Sequence, residues 1–517
     1  MKLLLKITLM GLLGLIALSL FFAAYNMRDR FRGYEVNIKI PAGEPGIIRA
    51  GFAALSITPE IRDTWIDSNG SYRFEPKDGD TYEDVTGTGR FDAVWMAGFQ
   101  NSKPAQGVHD DLWARAMVLD DGNTKVAWVV LDAIGFFGDD VIRVRQQLPE
   151  HLGIDYAIVS STHTHSAPDL MGLWGPGQFR SGVNREYLAL VIRQASAAIE
   201  LASERSRPAH FRFAVDADGA ASMLGDTRKP YVMNPAIRLM QAIDAETDST
   251  LGTLAVWDNH PETIWNKNLL ITSDFPHYFR KGLEEGLWLD GELKREGFGG
   301  TAIFAIGNIG GLMTTHPSVP VECPFTGELL LEPSFEKVRA QGYQLASLSM
   351  DALGSDKSTL LTDGSISLHA RTVHLPLGNP LFRLGAALGL FDRGMSSWMK
   401  FRSEIAYWTL GPASFLHHPA ELYPEIAYGG IESPEGQDFA LPPLEVPPLK
   451  EIMHGEYRFM AGLSNDMIGY VLPKSQWDAT APYTYGYESR PYGEINSLGP
   501  DTGPLLHQKL MRLILSD

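Results

Sequence analysis

Apolar segments of strand length alternate with amphipathic segments of helix length over most of this chain. Residues 125–132 are strongly apolar and end in an acid, and residues 156–159 are an apolar run; both are typical of buried strands. Residues 139–152 and 185–203 carry apolar side chains at helical spacing, and Pro149 is expected to end the first of these helices early. Strands that alternate with helices predict an α/β fold, which we expect to contain mixed β-sheets flanked by helices.

The same alternation continues toward the C-terminus. The pattern predicts further strands and helices as follows: a first strand over 47–57, paired strands over 237–243 and 251–257, a helix over 275–287, a strand over 301–306, a helix over 334–354, and strands over 360–375 and 404–415. Residues 381–399 are apolar and carry little charge. They are either a core or lid helix or a surface that dips into lipid.

The N-terminal residues 7–25 form an uncharged run that would span about 28 Å as a helix, enough to cross a bilayer. No small-x-small exit follows it, so we predict an uncleaved signal anchor over 1–27, a tether over 28–46 and a single large catalytic domain over 47–517. Basic residues flank both ends of the run, which leaves its orientation open on charge alone. We expect a membrane-anchored chain with an extracytoplasmic body, either periplasmic or extracellular.

Charge and cysteine content exclude several classes of protein. The chain of 517 residues carries 44 basic and 62 acidic residues, for a net charge of −18. A general nucleic-acid binder needs a basic surface, so no nucleic-acid partner is expected. Cys323 is the single cysteine, which excludes both an intramolecular disulfide framework and a cysteine-based zinc site.

Two histidines follow the apolar run 156–159, in the segment Thr162-His163-Thr164-His165. Side chains alternate along extended chain, so His163 and His165 point the same way. Imidazole is the commonest protein ligand for zinc. From the residues alone the pair is either part of a metal site or a metal-free pair held by hydrogen bonds.

Three other residues with suitable donor atoms occur at predicted strand ends or turns: His260, Glu421 and Tyr470. A catalytic zinc needs about three protein ligands and an open position for water. Each residue taken singly is equally well explained as a satisfied polar group.

The ordered set of motifs resembles the neutral/alkaline non-lysosomal ceramidase family, zinc amidases that cleave the N-acyl bond of ceramide. The strongest match is residues 162–168, which read THTHSAP where the family has THTHSGP. The resemblance runs from about residue 48 to the C-terminus and covers the family's catalytic region. The immunoglobulin-like C-terminal domain of ceramidases is expected to be absent, because the chain ends too soon.

The resemblance implies roles for individual residues. It implies a Zn²⁺ ion with four ligands: His163, His260, Glu421 and Tyr470. It further implies that His165 and Arg228 stabilise the oxyanion at the reacting amide, and that Asp274 holds a ligand histidine. His109 has no counterpart in the family, and is an extra metal ligand, a substrate contact or a hydrogen-bonded loop histidine.

The chain departs from the family at the reacting centre. Where the family has Asn-Leu-Gly-Asp-Val-Ser-Pro-Asn, Met313 occupies the serine position and Gly311 the aspartate position. A thioether can neither attack nor share a proton. Either zinc-bound water attacks without that hydroxyl, or Thr314 or Thr315 replaces it, or the activity is lost.

The resemblance therefore predicts a zinc-dependent hydrolase of an amide bond in an amphiphilic N-acyl lipid, an N-acylsphingosine amidohydrolase of sphingolipid metabolism. Two alternatives stay open. One is a zinc hydrolase of other amides or of esters, and the other is an inactive module on the same scaffold that binds lipid or a partner.

Overall fold

The computed structural model describes residues 2–391 and 393–516. Within them the α-helices are α1 (Lys2–Asn26), α2 (Gly138–Gln147), α3 (Arg185–Glu204), α4 (Phe275–Glu285), α5 (Phe335–Leu353), α6 (Pro380–Leu388), α7 (Pro424–Tyr428), α8 (Leu449–Ile452), α9 (Tyr492–Ile495) and α10 (Thr502–Leu515). The strands are β1 (Asn37–Ile40), β2 (Ile48–Ser56), β3 (Thr64–Ile66), β4 (Thr81–Glu83), β5 (Gly107–Val108), β6 (Trp113–Asp120), β7 (Lys125–Leu131), β8 (Tyr156–Ser161), β9 (Arg207–Asp216), β10 (Ile237–Asp244), β11 (Thr250–Trp257), β12 (Leu270–Ile271), β13 (Leu287–Leu289), β14 (Glu292–Arg295), β15 (Thr301–Ile306), β16 (Val321–Glu322), β17 (Leu329–Leu330), β18 (Thr359–Leu361), β19 (Ile366–Pro376), β20 (Lys400–Leu410), β21 (Ala413–His417), β22 (Glu421–Leu422), β23 (Tyr457–Ala461) and β24 (Tyr470–Val471).

Two β-sheets form the centre of the fold. The larger has the strand order β15-β11-β10-β9-β2-β6-β7-β8, and β18 also pairs with β9. Most of its neighbours are antiparallel, but β11 pairs with β15, and β7 with β8, in parallel. The smaller sheet has the order β1-β19-β20-β21-β23 and ends in the parallel pair of β21 and β23.

The two sheets pack face to face and helices cover their outer faces. Trp128 and Phe211 of the larger sheet share one core with Leu368 and Trp408 of the smaller sheet. The other face of the larger sheet packs against α3, α4 and α5, and the smaller sheet packs against α10. Sheets covered on both faces need apolar residues on both, which explains the continuous apolar runs in the sequence. The predicted α/β class with mixed sheets flanked by helices is confirmed.

The larger sheet curls until its two edges meet, so that β15 contacts β8 and β7. The loop after β23 joins these edges. The backbone N–H of Gly462 donates to the carbonyl of Ile306 at the end of β15 (3.0 Å), and the N–H of Asn465 donates to that of Val159 in β8 (2.6 Å). Four strands therefore have their carboxyl ends in the same region of the protein: β8, β11, β15 and β23. This holds although β8 and β15 are the opposite edges of the larger sheet.

The predicted N-terminal apolar helix is present. Residues Leu3–Asn26 of α1 are long and apolar enough to cross a membrane, and the helix is not buried in the protein. Its base is fixed to the body, because the side-chain amide of Asn26 donates to the carbonyl of Ala387 (2.9 Å) and Asp29 forms an ion pair with Arg402 (2.8 Å). Within the segment predicted as a tether, β1 pairs with β19.

Three predicted element bounds are wrong. Residues 381–399 are not one helix: α6 ends at Leu388 because Gly389 follows in the left-handed conformation (φ 72°) that terminates helices. Residues 404–415 contain the turn between β20 and β21, which is made at Gly411 with a φ of 52°. Residues 360–375 are divided between β18 and β19, which belong to different sheets.

Candidate active site

His163 lies two residues past the end of β8 and is held in an uncommon backbone conformation. Its φ of 67° is left-handed, which is costly for a residue with a side chain. The backbone N–H of His163 donates to the carbonyl of Ala133 (2.9 Å), and its Nδ1 lies 2.5 Å from the carbonyl of Ile134. Because a carbonyl can only accept, Nδ1 carries the proton and Nε2 presents its lone pair to the interior of the site.

His260 follows β11 and is oriented in the same way. Its Nδ1 lies 2.8 Å from the carbonyl of Met313, and its backbone N–H donates to the same carbonyl at 2.9 Å. The Nε2 atom of His260 is therefore also free to accept or to bind a cation. Such hydrogen bonds to the far ring nitrogen fix the orientation and tautomer of metal-binding histidines in proteins.

Glu421 begins the short strand β22 and faces both histidines. Its Oε2 lies 3.5 Å from Nε2 of His163 and 3.3 Å from Nε2 of His260. Tyr470 is its partner in the parallel pair of β22 and β24, so the carboxylate and the phenol lie side by side. Burial and the neighbouring charge of Glu421 raise the pKa of Tyr470 well above its usual value, which keeps the phenol protonated.

These donors fit a zinc ion. Ligands about 2.0–2.1 Å from a tetrahedral zinc lie roughly 3.3–3.4 Å from one another, close to the distances that separate the glutamate oxygen from the two imidazole nitrogens. Although burial opposes its charge, the positive charge that His163 and His260 carry when protonated lowers the pKa of Glu421, so the carboxylate is ionised. The set contains two imidazole nitrogens and a carboxylate oxygen, the same donor types as a His₂Glu catalytic zinc site.

His165 lies in the same cluster but faces a second acid. Ring nitrogens of His163, His165 and His260 all lie within 4.8 Å of one another, so the three histidines alone could also hold a metal. However, Nδ1 of His165 lies 2.9 Å from Oε2 of Glu262, an ion-pair contact that is not aligned as a hydrogen bond. Nε2 of His165 is buried and has no hydrogen-bond partner among the described residues.

Glu262 is a site residue that the sequence analysis missed. Although burial opposes its charge, attraction to His165 lowers its pKa to about 2. The hydroxyl of Thr314 lies close enough to contribute to this shift, but it is not aligned for a hydrogen bond. Burial in turn lowers the pKa of His165, and Glu262 opposes that effect. Glu262 follows His260 by two residues, a spacing that carries no distinguishing pattern in the sequence.

His163 and His165 lie on the wall of a mostly apolar cavity of about 270 Å³, and His260 lies outside its lining. The polar groups on its wall include His163, His165, Glu421 and Tyr470. The apolar wall is formed by side chains from several separate loops and elements: Phe99, Ile134, Phe137, Met171, Leu173, Trp174, Phe382, Phe391, Phe401, Met467, Ile468 and Leu498. Gly98 is required beside it, because a Cβ there would lie 2.7 Å from the Cβ of His165.

The two departures from the family motif have structural explanations. The side chain of Met313 is fully buried in the main hydrophobic core and does not line the cavity, whereas its carbonyl holds His260. A side chain at Gly311 would meet the carboxylate of Asp226, whose oxygens lie 3.0 and 3.1 Å from the position of a Cβ. Asp226 thus occupies the space that an aspartate at position 311 would need. Burial raises its pKa to about 7.

Arg228 forms a buried ion pair with Glu494 (2.5 Å). Its guanidinium also lies over the rings of Tyr423 and Tyr487, at 5.7 and 5.9 Å from their centroids. Arg228 does not line the cavity. Tyr423 in turn packs against Tyr470, with 6.4 Å between ring centroids. Arg228 therefore contacts Tyr423, which supports the candidate ligand Tyr470, and does not face the cavity.

Two other predicted residues lie outside the histidine cluster. The carboxylate of Asp274 accepts hydrogen bonds from the N–H groups of Phe275 (2.7 Å) and Ile264 (3.0 Å), so it caps α4 and holds the loop after His260. A contact with a histidine ring is not among its described hydrogen bonds. His109 lies 2.9 Å from Asp110 and stacks on Phe335, with 3.6 Å between ring centroids.

Comparison with known proteins supports the family resemblance seen in the sequence motifs. Residues 79–313 match the model of a family described as neutral/alkaline non-lysosomal ceramidase, N-terminal. The match spans less than half of the chain and confirms the family resemblance seen in the motifs over that region.

Two solved structures have a similar fold. One is a neutral ceramidase from Pseudomonas aeruginosa, with a TM-score of 0.61 over 91% of this chain and 74% of that chain. The other is described as a ceramidase complexed with C2, with a TM-score of 0.62 over 91% of this chain and 75% of that chain. Both are 16% identical to this chain, a level at which the similarity shows a shared fold.

Substitution of the candidate ligands tests the donor set. We expect His163→Ala and Glu421→Gln to weaken zinc binding more than 100-fold. Loss of a residue that only hydrogen-bonds to a metal ligand costs roughly 10–100-fold in metal affinity, and loss of the ligand itself should cost more. His165→Ala should retain zinc, because its Nδ1 is turned toward Glu262. His109→Ala is the control and should also retain it. Zinc per chain is measured by mass spectrometry after dialysis against a chelator.

A different result would select the other donor set. If His165→Ala loses zinc while Glu421→Gln keeps it, the three histidines hold the ion and Glu421 does not.

Proposed function

We propose that this protein is a zinc-dependent amidohydrolase that cleaves the amide bond of an N-acyl lipid, as the ceramidase family does. The observation that carries the proposal is the convergence of two imidazole nitrogens and a carboxylate oxygen at zinc-ligand spacing, in a cluster that borders an apolar cavity through His163 and Glu421. His163, His260, Glu421 and Tyr470 would hold the ion. When bound, zinc supplies a Lewis acid that polarises the amide carbonyl and lowers the pKa of water.

The cavity supports a lipid substrate. Its wall is mostly aromatic and aliphatic, and its polar members include the candidate site residues His163, His165, Glu421 and Tyr470. Burial of a hydrocarbon chain against such a wall stabilises the complex by about 0.8 kcal/mol per CH₂ group. The reacting amide is then placed beside the donor cluster, and the acyl or sphingoid chain lies along Phe137, Phe391 and Leu498.

His165 is assigned the proton transfer. We assign the proton of neutral His165 to Nδ1, which lies 2.9 Å from an oxygen of the ionised Glu262, and this leaves the lone pair of Nε2 for the cavity. Burial lowers the pKa of His165, which favours the neutral form. Nε2 takes a proton from the attacking water and returns it to the amide nitrogen as the C–N bond breaks. The water oxygen becomes part of the carboxylic acid and the nitrogen leaves as an amine. This role replaces the oxyanion contact inferred from the family.

The remaining predicted residues take supporting roles. Thr314 adjoins Glu262 and helps to keep it ionised, which is the part a hydroxyl plays here in the absence of the family serine. Arg228 supports the wall of the site through Tyr423, which packs on Tyr470. Asp274 positions His260 through the backbone of its loop.

The proposal includes the location of the enzyme. α1 remains as a membrane anchor, and residues 47–517 form the catalytic domain on the extracytoplasmic side. The apolar and unburied surface of α1 supports an anchor.

Turnover of a fluorescent N-acylsphingosine by the full chain in detergent micelles tests the proposal. We expect zinc-dependent release of the fatty acid, which His163→Ala abolishes and the control His109→Ala does not. If zinc is bound but only esters or short amides are hydrolysed, the protein is instead a zinc hydrolase of other amides or of esters. If zinc is bound and no substrate is cleaved, the protein is a lipid-binding module, in agreement with the missing serine.

Replacement of Glu262 tests the proton-transfer pair. Glu262→Gln should lower kcat on the order of 10²-fold, with KM and zinc content nearly unchanged, because acid–base catalysis contributes roughly 10²–10⁴-fold. Since Glu262 raises the pKa of His165, its loss should move the acidic limb of the kcat profile to lower pH. A variant with the kcat and pH profile of the parent enzyme would show that Glu262 has no part in proton transfer.

A further inference from the structure

The helix α6 presents an apolar stripe to the outside of the protein. Leu381, Leu384 and Leu388 lie at helical spacing and are exposed, with Leu381 at 63%. Trp398, in the loop that follows, is 82% exposed. A soluble protein usually leaves large apolar side chains exposed singly, and a contiguous apolar patch marks an interaction surface.

The opposite side of α6 faces the active site. Phe382 packs edge-on against Phe391, with 5.7 Å between ring centroids, and both rings line the cavity above the histidines. Gly385 and Ala386 are buried beneath them. One short helix therefore separates the outward stripe from the cavity.

The N-terminal helix leaves the body beside this stripe. α1 packs on α6, the amide of Asn26 donates to the carbonyl of Ala387, and the N–H of Met395 donates to the carbonyl of Met27 at 3.3 Å. The groove between the two helices is lined by apolar residues from α1, α6 and the following loop: Leu20, Ala23, Ala24, Met27, Leu384, Ala387, Met395, Trp398 and Met399. Apolar residues of α1 and of the body thus line one groove, which also contains Asp29, Ser396 and Ser397.

Basic and aromatic residues surround this surface, although the whole chain has a net charge of −18. Arg28, Arg32 and Arg383 are exposed there, and Arg32 and Arg383 line the groove. Arg28 stacks on Tyr25, with 3.8 Å to the ring centroid. Arginine beside tyrosine and tryptophan is typical of the boundary between lipid headgroups and acyl chains.

We infer that α6 and Trp398 insert into the leaflet from which α1 emerges, so that the cavity receives its substrate from the bilayer itself. The substrate part of this inference rests on the proposed function. The surface is held firmly: Arg393 forms two 2.9 Å hydrogen bonds with Asp466, and the N–H of Gly394 donates to Asp139 (2.7 Å). An acyl chain then passes α6 and reaches the histidines without crossing water.

Depth-dependent quenching tests the insertion in the full chain. In a Cys323→Ser background, Leu381→Cys is labelled with an environment-sensitive fluorophore and reconstituted into phosphatidylcholine vesicles that contain an acyl-chain spin label. The control is Leu329→Cys, which is also 63% exposed but lies on the β16–β17 hairpin against α5. We expect a blue-shifted, strongly quenched label at position 381 and an unquenched one at 329. Equal, water-like emission at both positions would overturn the inference.

A second measurement tests delivery of substrate. Trp398→Glu should reduce hydrolysis of a long-chain N-acyl lipid in vesicles about tenfold, because burial of an apolar side chain in the membrane contributes more than about 1.4 kcal/mol to binding. The same substitution should leave hydrolysis of a water-soluble short-chain amide unaffected. Leu329→Glu should change neither. An equal rate of the parent and Trp398→Glu on vesicles would overturn the delivery step. Quenching at position 381 without hydrolysis of any amide would retain the membrane surface and refute the proposed function.

Discussion

The closure of the larger sheet is the constraint on which the candidate site depends. His163 follows β8 and His260 follows β11, strands that lie near opposite edges of the sheet. They meet because the sheet curls until β15 touches β8, and because the loop after β23 hydrogen-bonds to both edges. A flatter sheet with the same strands would leave the two imidazoles far apart. The smaller sheet packs on one face of this curled sheet in a shared hydrophobic core.

Burial of the site makes its charges interdependent. Glu421 is stabilised as a carboxylate by the histidines that it faces, and Glu262 by His165. A buried charge without a partner is costly, so each acid requires the matching imidazole or a cation. The arrangement divides the three histidines into two groups: His163 and His260 toward Glu421, and His165 toward Glu262. One cluster can thus bind a metal and transfer a proton with different members.

The sequence predicted the α/β class and most helices because the apolar periodicity of covered strands and amphipathic helices is strong. It brought attention to His163 and His165 because they follow an unmistakable buried strand. It could not reveal Glu262, since a carboxylate two residues after His260 has no distinguishing pattern until the chain is folded. The pairing of Arg228 with Glu494 depends on residues 266 positions apart. Likewise, the left-handed Gly389 that shortens α6 competes with a helical pattern that continues past it.

X-ray absorption at the zinc edge of the purified full chain tests the central claim most directly. The account predicts nitrogen and oxygen scatterers at about 2.0–2.1 Å, with the multiple-scattering signal of two imidazole rings, those of His163 and His260. A signal from three imidazoles would place His165 on the metal and remove it from proton transfer. Absence of bound zinc, or a sulfur shell near 2.3 Å, would contradict the assigned site altogether.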